Sequence, residues 1–428
     1  MSEQLPASDI KQIWRIFNPT HMISAQSSFY VQRNEHNLRK LTFDLQESDE
    51  PFKGFLCGHV GSGKTTELRK LHQDPQLQQQ FCSIYLSVNQ FQYDRIALTH
   101  DALLVEMVKS MLDQVEQQQL TLSQDYRQAL NDWATSIIKT FVHDDTVKAE
   151  AGAKASALWA YFKAQLTTRS SWTQTEKLIL EPKVQDLIGL LNTLAIEYKQ
   201  LTGKSFLIIL DDMEKGESEQ DKQMHYRLFN DYYNELIQPH INIIYSLPVY
   251  FRSLPTKRVE EERIYSFSSL RVYDLANKTE HRPTLDKTSQ GYQLISEFIA
   301  KRLDPQAKEQ LFANHTIDEL IRIGGGLLRE TARCIREAAY HALLREATQI
   351  ENEDVLHAFN KVKKDYQPQV RGKAIAVLKQ VTQSKTGWVE NVEPYLQSGA
   401  VVEYENGDYW LDVRYPLKSF LASLTEPN

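Results

Sequence analysis

The sequence predicts an α/β protein, a parallel sheet with helices on both faces followed by a purely helical region and a small helix-and-hairpin unit. Three observations predict it. Short apolar runs alternate with helical patterns over the first two thirds of the chain, as in a three-layer α/β sheet. One such run, "PFKGFL", leads into the glycine-rich stretch "GHVGSGKTT" (58–66) and then into "ELRKLHQ", which has a helical pattern. Near the C-terminus, "AVVEYENGDYWLDV" places Asn-Gly between two alternating segments, a strong hairpin signal.

The apolar runs are taken in chain order. After "PFKGFL" come "FCSIYLSV" (81–88), "FLIIL" (206–210), "INIIYSL" (241–247) and "RIYSFSSLRV" (263–272), the last the weakest. Phe206 to Leu210 is apolar without interruption, as a parallel strand covered on both faces must be. Residues 1–50 read as an N-terminal helical segment leading into the core, with a helix from about Asn34. The core then spans 51–275, with a helical insertion at about 98–200. Within that insertion, residues 148–166 are rich in alanine and carry Trp159, Tyr161 and Phe162. They read as a packed helix or as a contact element that moves with nucleotide. Residues 285–365 are helical throughout. Residues 366–428 read helix, helix, strand, strand and a closing apolar segment, the order of a winged-helix unit.

"GHVGSGKT" fits G-x-x-x-x-G-K-[ST]. In such a loop Gly58, Gly61 and Gly63 let the backbone curl, so that N–H groups from Ser62 to Thr66 point at phosphate oxygens. The helix that follows adds the positive end of its dipole. Lys64 reaches the outer phosphates of ATP, and the Thr65 hydroxyl ligates Mg²⁺. Such a loop needs an acid on a nearby strand. "FLIILDDMEK" ends its apolar run in Asp211 and Asp212, at the carboxyl end where ligands of parallel sheets bind. Asp211 is the candidate second metal ligand. Asp212, and after it Glu214, is the candidate for orienting or deprotonating the attacking water; the plainer alternative is that both only begin a polar loop.

The totals bound the rest. The chain has 428 residues, 41% hydrophobic and 25% charged, with a mean hydropathy of −0.48. No apolar run approaches the roughly 18 residues of a membrane span, and "MSEQLPASDIKQIW" lacks the core of a signal peptide. Three distant cysteines suggest neither disulfides nor a zinc site, so a cytoplasmic protein with no membrane contact is expected. A net charge of −7 argues against a chain that wraps nucleic acid. The second helix of the terminal unit, "WVENVEPYLQSG", carries Glu390, Glu393 and Pro394 and no cation, and carboxylates repel phosphates. That unit reads as a packing or protein-docking module ahead of a DNA reader.

The P-loop, the acid-tipped strand, the helical region with "GGGLLRETARC" and the winged-helix pattern, in that order, resemble the AAA+ ATPases. Origin-recognition-type ATPases and the STAND signalling ATPases are the most similar groups, over roughly residues 25–428. The resemblance implies that Ser246 is a sensor at the γ-phosphate, that Arg329 reaches back from the helical lid, and that "FYVQR" (29–33), with Tyr30, lines the adenine pocket. It implies an arginine finger from a neighbouring subunit, with Arg252, Arg258 and Arg263 in the expected stretch. Arg322, Arg333 and Arg336 are plainer helix charges. The acid pair departs from the family's usual Asp-Glu, which implies slow hydrolysis or even a nucleotide-locked structural protein. The resemblance further implies a homo-oligomerising, ATP-dependent switch acting on a protein partner, in bacteria including anti-phage defence. The alternative is a DNA-transaction ATPase of the loader or transposition-regulator type.

Overall fold

The computed structural model describes residues 5–21, 23–33, 35–90, 99–142, 183–213, 219–253, 259–274, 276, 278–384 and 388–424. Five strands form one sheet: β1 (Lys53–Gly58), β2 (Phe81–Ser87), β3 (Ser205–Asp211), β4 (Asn242–Pro248) and β5 (Ile264–Phe267). Their order is β2-β3-β4-β1-β5 and every pairing is parallel. The uninterrupted apolar runs follow from two covered faces. Phe55, Ile208, Leu210, Ile243 and Tyr245 enter one core with the helices His100–Gln117 and Val184–Thr202. Leu56, Leu207, Ile209 and Ile244 enter a second core with α2 (His36–Glu47) and α3 (Lys64–His72).

The fifth strand has four residues, where the pattern suggested ten. After Phe267 the chain leaves the sheet because its backbone is claimed elsewhere. Ser269 N–H donates to Glu403 O at 3.2 Å, and Leu270 N–H to Gly326 O at 3.0 Å. The N-terminal segment is also less helical than expected. Among the described residues before 50, α1 (Ile10–Ile16) and α2 are the helices, and α2 begins at His36. Asp9 caps α1 by accepting from Gln12 N–H at 2.8 Å. Ala7, Ile10, Ile13 and Phe17 pack into the core of the helical bundle, not of the sheet. The segment between α1 and α2 is held by polar contacts, among them Arg302 Nη1 to Phe29 O at 3.1 Å.

The insertion contains helices His100–Gln117, Gln124–Val142 and Val184–Thr202. The group Trp159, Tyr161 and Phe162 lies outside the described residues. The bundle that follows is built on Gln290–Ala300, Thr316–Gly324, Leu328–Leu344 and Asn352–Tyr366, the last opened by a capping box between Glu351 and Asp354. In the terminal unit come Lys373–Gln383, Glu393–Gln397, the antiparallel hairpin β6 (Val401–Asn406) and β7 (Asp408–Val413), and a closing helix Tyr415–Ser423. Gly407, at φ +82°, makes the expected turn. The second helix shrinks to five residues because Pro394 sets its first turn. Val249 and Tyr250, just past β4, belong to this unit's core and fasten it to the sheet.

Candidate functional site

The loop between β1 and α3 has the curl that its glycines allow. Gly61 and Gly63 have φ of +82° and +108°, conformations that a side chain resists. Lys64, 2% exposed, folds onto the loop and donates to Gly58 O at 2.8 Å and His59 O at 3.0 Å. Ser62 Oγ donates to His59 O at 2.8 Å. Thr65 and Thr66 occupy the first turn of α3, at the positive end of its dipole, with Thr66 N–H donating to Gly63 O at 3.0 Å and Ser62 N–H to His59 O at 3.3 Å.

The acids arrive by register. Leu210 pairs with Tyr245, so Asp211 and Ser246, each one residue further, come side by side on the face that carries Ile209 and Ile244. That is the face of α3 and the loop. Asp211 is fully buried and accepts from Tyr85 Oη. Asp212 turns out of the strand at φ +69° and accepts from Ser87 Oγ. Tyr85 and Ser87 are alternate residues of β2, so one face of that strand orients both carboxylates. Met213, next in the chain, is held through its carbonyl. His225 Nε2–H donates to it at 3.0 Å, which leaves Nδ1 to accept from Tyr250 Oη at 2.8 Å. Glu214 lies outside the described residues.

Three other parts of the chain grip the loop. From the N-terminal segment, Arg33 donates to Ser62 O at 2.6 Å and Ser268 O at 2.9 Å, with its guanidinium 4.1 Å over the Phe267 ring. From the bundle, Arg329 N–H donates to Gly61 O at 3.2 Å; a Cβ at Gly61 would lie 2.7 Å from Arg329 Cβ. From the hairpin, Glu403 N–H donates to His59 Nε2 at 2.8 Å. His59 is 3% exposed, and burial, with Arg414 and Lys64 adding to it, pushes its pKa down to about 3. It is therefore a neutral acceptor. Tyr30 does not touch the loop directly: its hydroxyl donates to Glu67 of α3 at 2.9 Å and accepts from Lys70 at 3.1 Å.

Among the finger candidates, Arg252 is engaged within its own chain. Its guanidinium contacts Glu403 and Ser266, each at 2.9 Å, and stacks 3.8 Å from the Tyr409 ring centre. Burial pushes the Glu403 carboxyl up to about 7, against the pull of Arg252. Arg263 pairs with Glu260 at 2.8 Å, and Arg258 lies outside the described residues. Arg322 pairs with Glu319, Arg333 with Glu330 and Asp365, and Arg336 donates to Asn18, so these are structural charges here.

A cavity of about 240 Å³ adjoins the loop. Its walls come from the loop at Gly58–Val60, from the exit of β4, from the start of the helix Leu328–Leu344 and from the terminal unit. The sequence singled out Arg329 beside it, and the stretch 29–33 that ends in Arg33, but missed His59, Glu403 and Arg414. The only signal for His59 was its place inside the loop motif. The others are ordinary charged residues in ordinary patterns until distant segments meet.

A parallel sheet with the phosphate-loop strand beside β4 and the acid strand beyond it, followed by a helical bundle and a helix-and-hairpin unit, has the architecture of a P-loop nucleotide-binding core with two appended units. No family model matches the chain, and no curated protein matches it. Solved structures do. Cdc6p from Pyrobaculum aerophilum is 12% identical, over 95% of this chain and 96% of that one, with a TM-score of 0.37. A Walker-type ATPase of Pyrococcus abyssi is 12% identical, over 96% and 100%, with a TM-score of 0.43. The ORC2 protein of Aeropyrum pernix is 11% identical, over 95% of each chain, with a TM-score of 0.42. At such identities and scores the fold assignment stands on this chain's own strand order and loop. Among the described residues, no helix is long and apolar enough to cross a membrane.

Proposed function

We propose that the chain is an ATP-binding, slowly hydrolysing regulatory ATPase, a nucleotide-dependent switch that self-associates and acts on a protein partner. The observation that carries this is the triple grip on the loop. Arg33 on Ser62, Arg329 on Gly61 and Glu403 on His59 tie N-terminal segment, bundle and hairpin to the nine residues that would move around a phosphate. A change in the loop is therefore passed to these three units. The anti-phage setting rests on the resemblance alone.

The site residues take roles that their placement supports. Lys64 would exchange the Gly58 and His59 carbonyls for phosphate oxygens. The Thr65 hydroxyl and the buried Asp211 carboxylate are hard oxygen donors, a set that fits Mg²⁺. When bound, the metal would neutralise charge on the transferring phosphoryl group. Asp212, oriented by Ser87, would position the attacking water, and Ser246 beside Asp211 would report on the γ-phosphate. Arg329 would supply positive charge from the bundle. A finger from the segment 249–263 would serve a neighbour, and Arg252 must first leave Glu403 to do so. The short helix opening on Glu393-Pro394 supports a protein-docking tail in place of a DNA reader.

The test is thermal melting with ATP and Mg²⁺. A ligand at about 100 times its Kd adds roughly 2.7 kcal/mol. Lys64→Ala should lose the upward shift while keeping its fold, and Asp212→Asn should keep the shift while losing turnover. Equal shifts in wild type and Lys64→Ala would refute nucleotide binding at this loop. Turnover per subunit should rise with protein concentration; a rate flat across a hundredfold dilution, with a monomeric mass in ATP, would refute the shared site.

A further inference from the structure

The cavity beside the loop carries more positive charge than its walls can use. Three arginines line it, Arg329, Arg333 and Arg414, against one carboxylate, Glu330. Glu330 is already divided, 3.4 Å from Arg333 and 3.6 Å from Arg414. Arg333 has a second partner in Asp365. The Arg329 guanidinium makes no hydrogen bond or ion pair among the other described residues. Arg414 is the most constrained of the three. Its side chain is 3% exposed, its Nε donates to Gly399 O, and its guanidinium lies 4.7 Å over the Tyr366 ring centre. Among the described residues its Nη1 makes no hydrogen bond, and the Glu330 carboxylate 3.6 Å away is its ion-pair partner. A buried guanidinium with an unused donor is costly, and an anion that accepts from it recovers that cost. The positive field is felt next door, where Arg414 and Lys64 both act on His59.

We propose that this cavity is a phosphoryl-oxyanion site completed by Arg414 of the terminal unit. Its volume, about 240 Å³, has room for a tetrahedral oxyanion and accompanying water. Arg414 follows β7 directly, so an anion here bonds the terminal unit to Arg329 of the bundle and to the loop strand. The oxyanion has two sources. One is the terminal phosphate of a nucleotide held by the loop, which rests on the function proposed above. The other is a separate phosphate, which does not.

The experiment uses the full chain and has two arms. In the first, Kd for ATP and for ADP is measured by calorimetry in wild type, Arg414→Lys and Glu330→Gln. In the second, inorganic phosphate is titrated against the melting temperature of Lys64→Ala, alone and combined with Glu330→Gln. Glu330→Gln removes the competing carboxylate without deleting a buried arginine, so it tests the site even where Arg414→Lys fails to fold. For the nucleotide's own phosphate, Glu330→Gln raises the ATP preference over ADP about threefold or more. Arg414→Lys lowers that preference about tenfold, because Lys loses the forked donors. For a separate phosphate, the melting temperature of Lys64→Ala rises with phosphate and rises further with Glu330→Gln, while the ATP preference is unchanged. If Glu330→Gln alters neither the ATP preference nor the phosphate response, the proposal is wrong. Wild type that binds no nucleotide but responds to phosphate through Glu330 would remove the proposed function and keep the cavity site.

Discussion

Protonation of His59 should pull the hairpin off the loop. The ring accepts the Glu403 N–H at Nε2, 2.8 Å away, and an accepting nitrogen cannot carry a proton. In the docked state its pKa is about 3, lowered from 6.5 by burial first and by Arg414 and Lys64 second. A depressed pKa means that the detached state takes the proton more readily. The contribution of His59 is therefore complete above about pH 6.5 and is lost as the pH falls towards 3. Each pH unit inside that window is worth about 1.4 kcal/mol, so from pH 6.5 to 5 the loss is about 2 kcal/mol, or about thirtyfold in the opening equilibrium. His59→Gln keeps an acceptor and does not titrate. The assay is hydrogen–deuterium exchange of the peptide covering Val401–Asn406, in wild type and His59→Gln, from pH 7.5 to 5. Intrinsic exchange and the titration of Glu403 are common to both proteins and cancel in the ratio. Wild-type protection should fall about thirtyfold relative to the variant over that range. A protection ratio that stays constant would refute the reasoning.

Further predictions concern the loop, the hairpin and one remote helix. Gly61→Ala should lower the melting temperature and weaken ATP binding, since φ +82° strains any side chain by about 1–3 kcal/mol and the new Cβ meets Arg329 at 2.7 Å; Gly189→Ala, in an exposed helix position with open space around it, should instead stabilise by up to about 1 kcal/mol. Arg252→Ala should destabilise hairpin docking by about 3 kcal/mol, because it strands a carboxylate that is 1% exposed. Glu403, its pKa raised to about 7, contributes stability below about pH 4.5 that is lost as the pH rises through 7. Glu403→Gln should therefore gain on wild type over that interval, and a gap independent of pH in urea unfolding would count against the account.

The loop and the acid-tipped strand were legible because their information is local. Eight residues specify the curl from Gly58 to Thr65, and five apolar residues before Asp211 announce a strand buried on both faces. The hairpin was legible for the same reason, through Asn406-Gly407. What sequence patterns could not show depends on contacts between remote segments. "RIYSFSSLRV" has the look of a long strand, yet Ser269 and Leu270 bond to Glu403 and Gly326 and the strand stops at Phe267. The helical character of the first 50 residues was overstated because Arg33 and Arg302 hold an irregular segment that no periodicity encodes. Tyr85 and Ser87 looked like ordinary strand residues, and only the pairing of Ser87 with Asp211 reveals why they alternate.

The bond between His59 and Glu403 joins residues 344 apart in the chain, and Arg336 reaches Asn18 across 318. Ribosomes add about 5–20 residues each second, so the loop emerges roughly 17 to 70 seconds before the hairpin that grips it. During that interval β1 also waits for β4 and β5, its two neighbours in the sheet. The grip on the phosphate loop can be completed only after residue 403 has been made. A nascent chain of this protein is thus exposed, with unpaired strand edges, for longer than a fold of local contacts would be. Slow refolding, limited by closure of the 58–403 loop, is the expected cost of wiring the N-terminal segment, the bundle and the hairpin to one short turn.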